Sequence, residues 1–326
     1  MSSSSSASVL EVARQPGKPP MLRVEAGGDA LVWAAEHRDA LRAAVTEHGS
    51  LLVRGLGLSD AGEVEAVFNR LSTTGLMVER EAFAARQRYA NGVYSSSKWP
   101  SNQPMCMHHE LSYTLQFPAL MLFACLRAPS HGGATGVADS PTVLEALPHK
   151  LVERFTREGW MLTRNYNDEI GASFAEAFGT EDRGEVERYC RANAIDFAWQ
   201  PDGGLRTRQR RAAVVSHPVT GQACWFNQIA FLNEWTLDPE VHEFLVDTYG
   251  ADALPFNTHF GNGDPIGEDI VALLNAVYEA NTAREPWQVG DLMLVDNVRT
   301  AHSREAFEGQ REVLVAMADA LDMEAA

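Results

Sequence analysis

A histidine and a glutamate two positions apart are the side chains of this sequence best suited to bind a metal ion. They are His108 and Glu110, in the segment 107–113 (MHHELSY). Because residues i and i+2 of a strand point to one face, a strand here would present both to one ion, with His109 facing the other way. A second imidazole from elsewhere would complete two histidines and one carboxylate, a set that suits non-haem Fe(II) and leaves coordination positions open. Taken alone, H-x-E also occurs by chance in surface or packed segments.

A histidine and an arginine near the end of the chain offer the groups that such a site still needs. The segment 287–297 (WQVGDLMLVDN) is typical of a turn that leads through a buried strand into a polar loop, and His302 lies just after it. Arg311 follows at the head of a further predicted strand. Its planar, permanently charged fork is suited to pair with a carboxylate in a buried site. A solvated arginine paired with Glu308 or Glu312 is the alternative interpretation.

The composition is that of a globular chain with an excess of negative charge. Hydrophobic residues make up 45% of 326 residues, and 44 acidic against 27 basic side chains give a net charge of −17. This balance argues against nucleic acid or an anionic membrane as a partner, since both require clustered positive charge. A small anionic ligand is compatible with it, because such a ligand needs only one or two local cations.

Cysteine spacing and hydropathy favour a cytoplasmic location. The four cysteines lie far apart and form no C-x-x-C pair, which favours reduced thiols over disulfides or structural zinc. No stretch reaches the roughly 18 apolar residues of a membrane span. The N-terminus lacks the basic and apolar regions of a secretory signal. The oligomeric state cannot be predicted from these features.

The hydrophobic pattern predicts one domain, residues 21–326, after a disordered N-terminal tail, residues 1–20. Helices are predicted at 30–48, 60–71 and 268–283, and residues 141–200 are predicted to be mostly helical. Strands are predicted at 50–56, 121–126, 137–139, 287–295 and 312–317, with more β structure at 205–231 and a turn at 217–222. Since there is no internal repeat and no flexible linker, we expect a β core with helical insertions.

Taken in order, these segments resemble the Fe(II)/2-oxoglutarate-dependent dioxygenases of the TauD/TfdA (taurine dioxygenase) superfamily, especially the branch near clavaminate synthase and the SyrP-like amino-acid hydroxylases. The resemblance runs from about residue 50 to residue 317. The ordered combination of H-x-E, G-G-x-T, G-D-x4-D-N and H-x8-R is specific, although each piece alone is weak. The phrases that carry it are MHHELSY (107–113), HGGATGVAD (131–139), TRNY (163–166), LRTRQ (205–209), CWFNQ (224–228), FGNGDPI (260–266) and the segment 287–311.

The resemblance implies a fold that is mainly β with helices: a double-stranded β-helix (jelly-roll) core of the clavaminate-synthase-like type with helical insertions. It also implies Fe(II), 2-oxoglutarate as co-substrate and O₂. His108, Glu110 and His302 match the iron ligands of the family. Arg311 matches the arginine that pairs with the distal carboxylate of 2-oxoglutarate, and Thr135 matches a threonine that supports the same carboxylate.

Two neighbouring residues leave alternatives to this assignment. Arg304 follows His302 closely and could pair with a substrate or be solvated, but it lies too near the ligand to reach the far end of a five-carbon diacid. His109 stands next to His108, and the strand period favours His108 as the ligand because His109 and Glu110 would face opposite sides.

The function implied by the resemblance is hydroxylation of an unactivated C–H bond of a small molecule, such as a free or carrier-tethered amino acid of secondary metabolism. Glu110 supports this, because related halogenases have a small residue at that position. Asn227, Arg164 and Arg206 are polar residues in β-like stretches and are candidate substrate contacts, although each is equally suited to satisfying backbone groups.

Other functions remain open at this stage. Desaturation or epoxidation would use the same iron site. A zinc or other metal hydrolase would use the same three ligands with a metal-bound water, but it would leave Arg311 and the G-G-x-T turn without a role. A non-catalytic binding protein would have lost the chemistry, although all three proposed ligands are present.

Overall fold

The protein is described by a computed structural model that covers residues 10–25, 28–81, 83, 86–90, 92–96 and 99–323. The α-helices are α1 Ala30–His48, α2 Ala61–Leu71, α3 Ser140–Ala146, α4 His149–Glu158, α5 Phe174–Phe178, α6 Arg183–Ala192, α7 Pro239–Tyr249 and α8 Glu268–Ala280. Two short 3₁₀ turns occupy Glu234–Thr236 and Ala251–Ala253. No helix in these ranges is long and apolar enough to cross a membrane.

Nineteen strands accompany the helices in the described ranges. They are β1 Met21–Arg23, β2 Ser50–Arg54, β3 Arg88–Ala90, β4 Val93–Ser95, β5 Met105–His108, β6 Gln116–Arg127, β7 His131–Gly132, β8 Thr135–Asp139, β9 Trp160–Tyr166, β10 Asp196–Trp199, β11 Leu205–Arg211, β12 Val214–Ser216, β13 Ala223–Trp225, β14 Phe256–Phe260, β15 Thr282–Ala283, β16 Leu292–Asp296, β17 Thr300–Arg304, β18 Phe307–Glu308 and β19 Glu312–Asp322.

Two sheets form the core of the fold. The larger has the strand order β1-β2-β16-β6-β19-β4-β3, and the smaller has the order β15-β8-β17-β5. Every pair in them is antiparallel except β1 with β2. One buried cluster contains Phe123 and Val315 of the larger sheet together with Met107 and Val137 of the smaller one. The two sheets therefore face each other across a shared core, and the predicted jelly-roll with flanking helices is confirmed.

Helices α1 and α2 cover the outer face of the larger sheet. Leu41 and Phe68 of these helices pack in one buried cluster with Leu51, Leu122 and Leu314 of the strands beneath them. Both helices begin where the sequence predicts, at an aspartate that accepts hydrogen bonds from backbone amides of the first turn. This capping satisfies amide donors that a helix start otherwise leaves unpaired.

The prediction of a disordered tail over residues 1–20 is wrong for residues 10–20. Ala13 pairs with Met21 as an antiparallel bridge, and the amide of Arg284 donates to the carbonyl of Gly17 at 2.9 Å. Leu10 and Val12 pack against the cluster beneath α1. Residues 10–20 thus have definite partners, while residues 1–9 lie outside the described ranges.

The long connection between β8 and β16 contains more β structure than the sequence predicts. The stretch 141–200, predicted to be mostly helical, also holds β9 and β10. Strand β9 is paired along its length with β11 on one side and with β14 on the other. Pairing with strands distant in the sequence decides its conformation, which local periodicity cannot reveal.

Candidate metal centre

Backbone pairing in the smaller sheet brings the two predicted histidine ligands together. In the antiparallel pair of β5 and β17, His108 lies directly opposite His302. On its other side β17 pairs with β8, which places Arg304 opposite Thr135. Side chains directly opposite each other in an antiparallel pair are close neighbours, and the two imidazole centroids are 4.4 Å apart.

Glu110 reaches the same point by a different route from the one the sequence suggests. Strand β5 ends at His108, and Glu110 lies in the turn that follows. Leu111 has a φ of 53°, a left-handed conformation that turns the chain immediately after Glu110. The alternation of a strand therefore does not explain how His108 and Glu110 converge. The two side chains converge because Glu110 lies in a tight turn whose backbone is hydrogen-bonded to the side chain of Asn297.

The three side chains are arranged as a metal site requires. One ligand atom from each of His108, Glu110 and His302 lies within 4.8 Å of the others, and all three residues are buried. Glu110 Oε2 is 3.8 Å from His108 Nε2 and 3.6 Å from His302 Nε2. Bonds of about 2 Å to one ion place neighbouring donor atoms roughly 3 to 4 Å apart. Ferrous iron fits these residues by donor type, spacing and burial.

The ring of His108 is oriented for this role by its backbone. Its Nδ1 donates to the carbonyl of Cys106 at 2.8 Å. A carbonyl can only accept, so Nδ1 carries a proton, and Nε2, which faces Glu110, is the nitrogen placed to bind a metal ion. The ring of Phe231 stacks on the imidazole of His108, with the two centroids 4.6 Å apart.

Burial and the local charges keep Glu110 and His302 in the protonation states that bind a cation. Burial opposes ionisation of Glu110, but Arg86 and the two histidines outweigh it and hold the pKa of that carboxyl well below its usual range. Burial, with His108 close by, lowers the pKa of His302 to about 4. At neutral pH the site thus offers a carboxylate and a neutral imidazole at these two positions.

His109 faces away from the centre, as predicted. Its Nδ1 donates to the carbonyl of Asn297 at 2.5 Å, and its Nε2 lies 2.9 Å from Ser140 Oγ. The ring is fully buried, and burial lowers its pKa to about 3. With both nitrogens bonded to the protein, His109 anchors the turn rather than the metal site.

Arg311 and Thr135 lie together in the same cavity as the three metal-binding candidates. Arg311 Nη2 donates to Thr135 Oγ1 at 3.4 Å, Nη1 to Ser96 Oγ at 3.1 Å and Nε to the carbonyl of Gly133 at 2.9 Å. All these partners are neutral, and among the described residues Arg311 has no carboxylate within salt-bridge distance. Burial, with Arg304 nearby, lowers the pKa of Arg311 to about 10. An unpaired buried cation favours an anion beside it.

Arg304 is buried, so it is not the solvated residue that the sequence left possible. It lines the same cavity and donates to the carbonyls of Trp99, Pro100 and Gln103. These bonds attach the loop before β5 to β17. Within the described part of the chain its Nε has no hydrogen-bond partner.

The three predicted substrate contacts do not lie among the residues that line this cavity. Asn227 donates to the carbonyl of Ala213 and accepts from the amide of Ile229. Arg164 donates to the carbonyl of Glu81. Arg206 donates to Asn165 Oδ1 and to the carbonyl of Asp252. In this structure all three are bonded to the protein's own polar groups.

Sequence reasoning missed Arg86, which enters the cavity from the segment between α2 and β3. Its Nη2 lies 2.8 Å from Glu110 Oε1. Its side chain is 5% exposed, and its pKa is raised because Glu110 and Glu79 outweigh the effect of burial. The segment has no regular periodicity in the sequence, so no local signal pointed to this contact.

The G-D-x4-D-N motif proves to be structural. Gly290 has a φ of 86°, and a Cβ there would come within 3.0 Å of the Gly57 backbone. Asp291 is paired with the buried Arg54 at 2.8 Å, and Asp296 lies 2.8 Å from His217 Nε2. The motif therefore attaches the strand β16 to its surroundings and delivers Asn297 to the turn at Glu110.

Residues 17–317 match the sequence model of the family described as "Taurine catabolism dioxygenase TauD, TfdA family". The chain is 34% identical over 275 residues to the dapdiamide synthesis protein DdaC of Enterobacter agglomerans, covering 84% of this chain and 83% of that protein. It is 27% identical over 287 residues to a clavaminate synthase-like protein of Arabidopsis thaliana, covering 83% and 82% of the two chains.

Solved structures of low sequence identity share the fold. The PvcB protein of Pseudomonas aeruginosa aligns with a TM-score of 0.54 at 17% identity over 99% of this chain and 97% of that chain. A taurine dioxygenase of Burkholderia xenovorans aligns with a TM-score of 0.53 at 15% identity, over 98% and 96%. Together with the family match over nearly the whole chain, these findings identify the protein as a member of the TauD/TfdA family, an oxygenase that depends on Fe(II) and 2-oxoglutarate.

Proposed function

We propose that this oxygenase hydroxylates an unactivated C–H bond of a small molecule, with a free or carrier-tethered amino acid as the substrate class. The observation that carries the proposal is the shared cavity, where His108, Glu110 and His302 lie beside Arg311, a partly buried arginine that has no carboxylate partner among the described residues. The name of the relative DdaC places that protein in dapdiamide synthesis, which supports a biosynthetic role here.

The site residues have distinct tasks in this proposal. His108, Glu110 and His302 would hold the metal on three adjacent positions and leave the others open. Bound there, ferrous iron with 2-oxoglutarate and O₂ supplies the oxidant for the C–H bond, and the co-substrate is converted to succinate and CO₂. The surrounding chain orients the substrate and excludes water.

Arg311 and Thr135 would bind the distal carboxylate of 2-oxoglutarate. The guanidinium fork lies 3.4 Å from the threonine hydroxyl, so both can donate to the same anion. Pairing with that carboxylate would compensate the buried charge of Arg311 and fix the co-substrate in one orientation.

The family match and the lining of the cavity argue against a metal hydrolase. It would use the same three ligands, but it gives no reason to bury an arginine without a carboxylate partner beside them. Desaturation and epoxidation differ from hydroxylation only in what happens to the substrate, and the analysis of the product separates them.

The test is turnover by protein purified anaerobically and loaded with Fe(II). A panel of amino acids, free and carrier-tethered, is scored by substrate-stimulated succinate release, and products are examined by mass spectrometry and NMR. Hydroxylation adds one oxygen atom as an alcohol, epoxidation adds one across a double bond, and desaturation removes two hydrogens. The absence of succinate release with Fe(II), together with hydrolysis supported by Zn²⁺, would contradict the proposal.

A further inference from the structure

We propose that Arg86 is a positioning residue of the metal centre, which holds one oxygen of Glu110 so that only the other oxygen binds the ion. This inference rests on the proposed function of Glu110 as a ligand. It adds a residue that belongs to no recognised motif of the sequence and is supplied by the connection between α2 and β3.

The two carboxylate oxygens of Glu110 have different partners. Oε1 accepts from Arg86 Nη2 at 2.8 Å. Oε2 is the atom that approaches His108 Nε2 at 3.8 Å and His302 Nε2 at 3.6 Å. A carboxylate can bind a metal through one oxygen or through both. With Oε1 held by the guanidinium, binding through Oε2 alone leaves one more coordination position open.

The position of Arg86 is itself fixed by buried contacts. Its Nε lies 3.5 Å from Glu79 Oε1. Glu81, in the same segment, has a φ of 55° and is fully buried. It accepts from Tyr189 Oη at 2.8 Å and from Gln209 Nε2 at 3.1 Å. These bonds hold Glu81 against α6 and β11.

The sign of the effect distinguishes positioning from simple electrostatics. Arg86 is a cation beside a site for a divalent cation, and like charges repel. If Arg86 acted only by repelling the bound ion, its removal would tighten metal binding. If it acts by holding Glu110, its removal lets the carboxylate turn away or bind through both oxygens, and metal binding weakens.

The experiment compares Arg86→Met, Arg86→Lys and Arg80→Met in the full chain by anaerobic titration with Fe(II) and by the absorption spectrum of the Co(II)-loaded protein. Arg80 is an exposed arginine of the same segment and serves as the matched control. We expect about 10- to 100-fold weaker Fe(II) binding for Arg86→Met, with an altered Co(II) spectrum. Arg86→Lys should recover part of the affinity, and Arg80→Met should behave as wild type.

Unchanged or tighter Fe(II) binding by Arg86→Met, with a wild-type Co(II) spectrum, would overturn the inference. If Arg86→Met does not fold, Arg86→Lys decides: lysine keeps the charge without the planar fork, and wild-type affinity in that variant would also overturn it. Failure of the proposed function gives a different result, because the wild-type protein would then not bind Fe(II) at this site.

Discussion

Asn297 holds the backbone of Glu110 from both sides. Its Oδ1 accepts from the Glu110 amide at 2.8 Å, and its Nδ2 donates to the Glu110 carbonyl at 2.9 Å. The same Nδ2 donates to the carbonyl of Pro118 at 2.9 Å, so the amide connects the turn to β6. A proposed metal ligand outside any strand thus gains a fixed position from a side chain at the end of β16.

Replacing Asn297 should weaken metal binding without removing a ligand. Asn297→Ala leaves the buried amide and carbonyl of Glu110 without these partners, and each such group costs about 1 to 3 kcal/mol. We expect a lower free energy of unfolding in urea and weaker Fe(II) binding by anaerobic titration. Asn262→Ala, in an exposed turn, is the control. Wild-type Fe(II) affinity in Asn297→Ala would show that the turn holds Glu110 without this amide.

Loss of either imidazole should abolish turnover. His108→Ala and His302→Ala each remove one of three proposed ligands, and the two that remain cannot complete the set. We expect neither variant to bind Fe(II) tightly or to release succinate from 2-oxoglutarate. His149→Ala is the control, since that side chain is 86% exposed. Full turnover by both site variants would show the assignment to be wrong.

Arg311→Met should selectively impair the use of 2-oxoglutarate. Removing one partner of a buried charge pair costs about 2 to 5 kcal/mol, so the KM for 2-oxoglutarate should rise at least about 30-fold. Thr135→Val removes one hydrogen bond to the distal carboxylate and should raise the KM for 2-oxoglutarate at least about 10-fold. Steady-state kinetics and equilibrium binding of 2-oxoglutarate measure both effects.

The exposed Arg127 provides the control for this series as Arg127→Met. Fe(II) affinity in the absence of 2-oxoglutarate should stay near the wild-type value in Arg311→Met, because Arg311 donates its hydrogen bonds to Gly133, Ser96 and Thr135 rather than to the three ligands. In the wild-type protein 2-oxoglutarate should raise the Tm, and in Arg311→Met this rise should largely disappear. A 2-oxoglutarate KM that is unchanged in Arg311→Met but raised in Arg304→Lys would transfer the role to Arg304.

Asp319 should make part of the stability dependent on pH. Burial opposes its ionisation, but the amides of Thr74 and Thr73 and the side chain of Arg42 outweigh it and lower its pKa. Such a carboxylate stabilises the fold above its unfolded pKa of about 3.9, and the contribution is lost as the pH falls through the lowered folded value. Asp319→Asn should therefore be less stable by about 1.5 to 3 kcal/mol near neutral pH.

Urea unfolding at a series of pH values measures this difference. The difference in unfolding free energy between wild type and Asp319→Asn should be constant above about pH 5 and should decrease below about pH 4. Asp322→Asn, at the exposed end of the same strand, is the control. If the difference in unfolding free energy between wild type and Asp319→Asn stays constant in acid, the charge of Asp319 is not the source of its contribution to stability.

Local sequence predicted the helices that carry their own start and stop signals. Helix α1 has the predicted bounds 30–48 because Asp29 caps its start, and Gly49 follows its end with a φ of 80°. Strand β9 lacked such signals, since its partners β11 and β14 are remote in the sequence. Hydrophobic periodicity shows which face of a segment is buried, but it does not identify the segment against which that face packs.

In the candidate site, too, local sequence patterns predicted some residues, while contacts between distant segments decided others. His108 and His302 were predicted from ordered motifs, and their convergence follows from one strand pair. Glu110 lies beside the two histidines, but the predicted strand was wrong, because the residue is in a turn that is bonded to Asn297. Arg86 was not predicted, since the sequence around it has no periodicity and its contact is with a residue 24 positions away.

The pairing of β5 with β17 sets His302 opposite His108 through backbone hydrogen bonds alone. We therefore expect the two imidazoles to be brought together without metal, in contrast to small zinc domains that are unfolded without their ion. Removal of iron by a chelator should accordingly yield a folded apoprotein that binds iron again when the metal is added back. The supply of iron would then control the fraction of active molecules and not the fraction of folded ones.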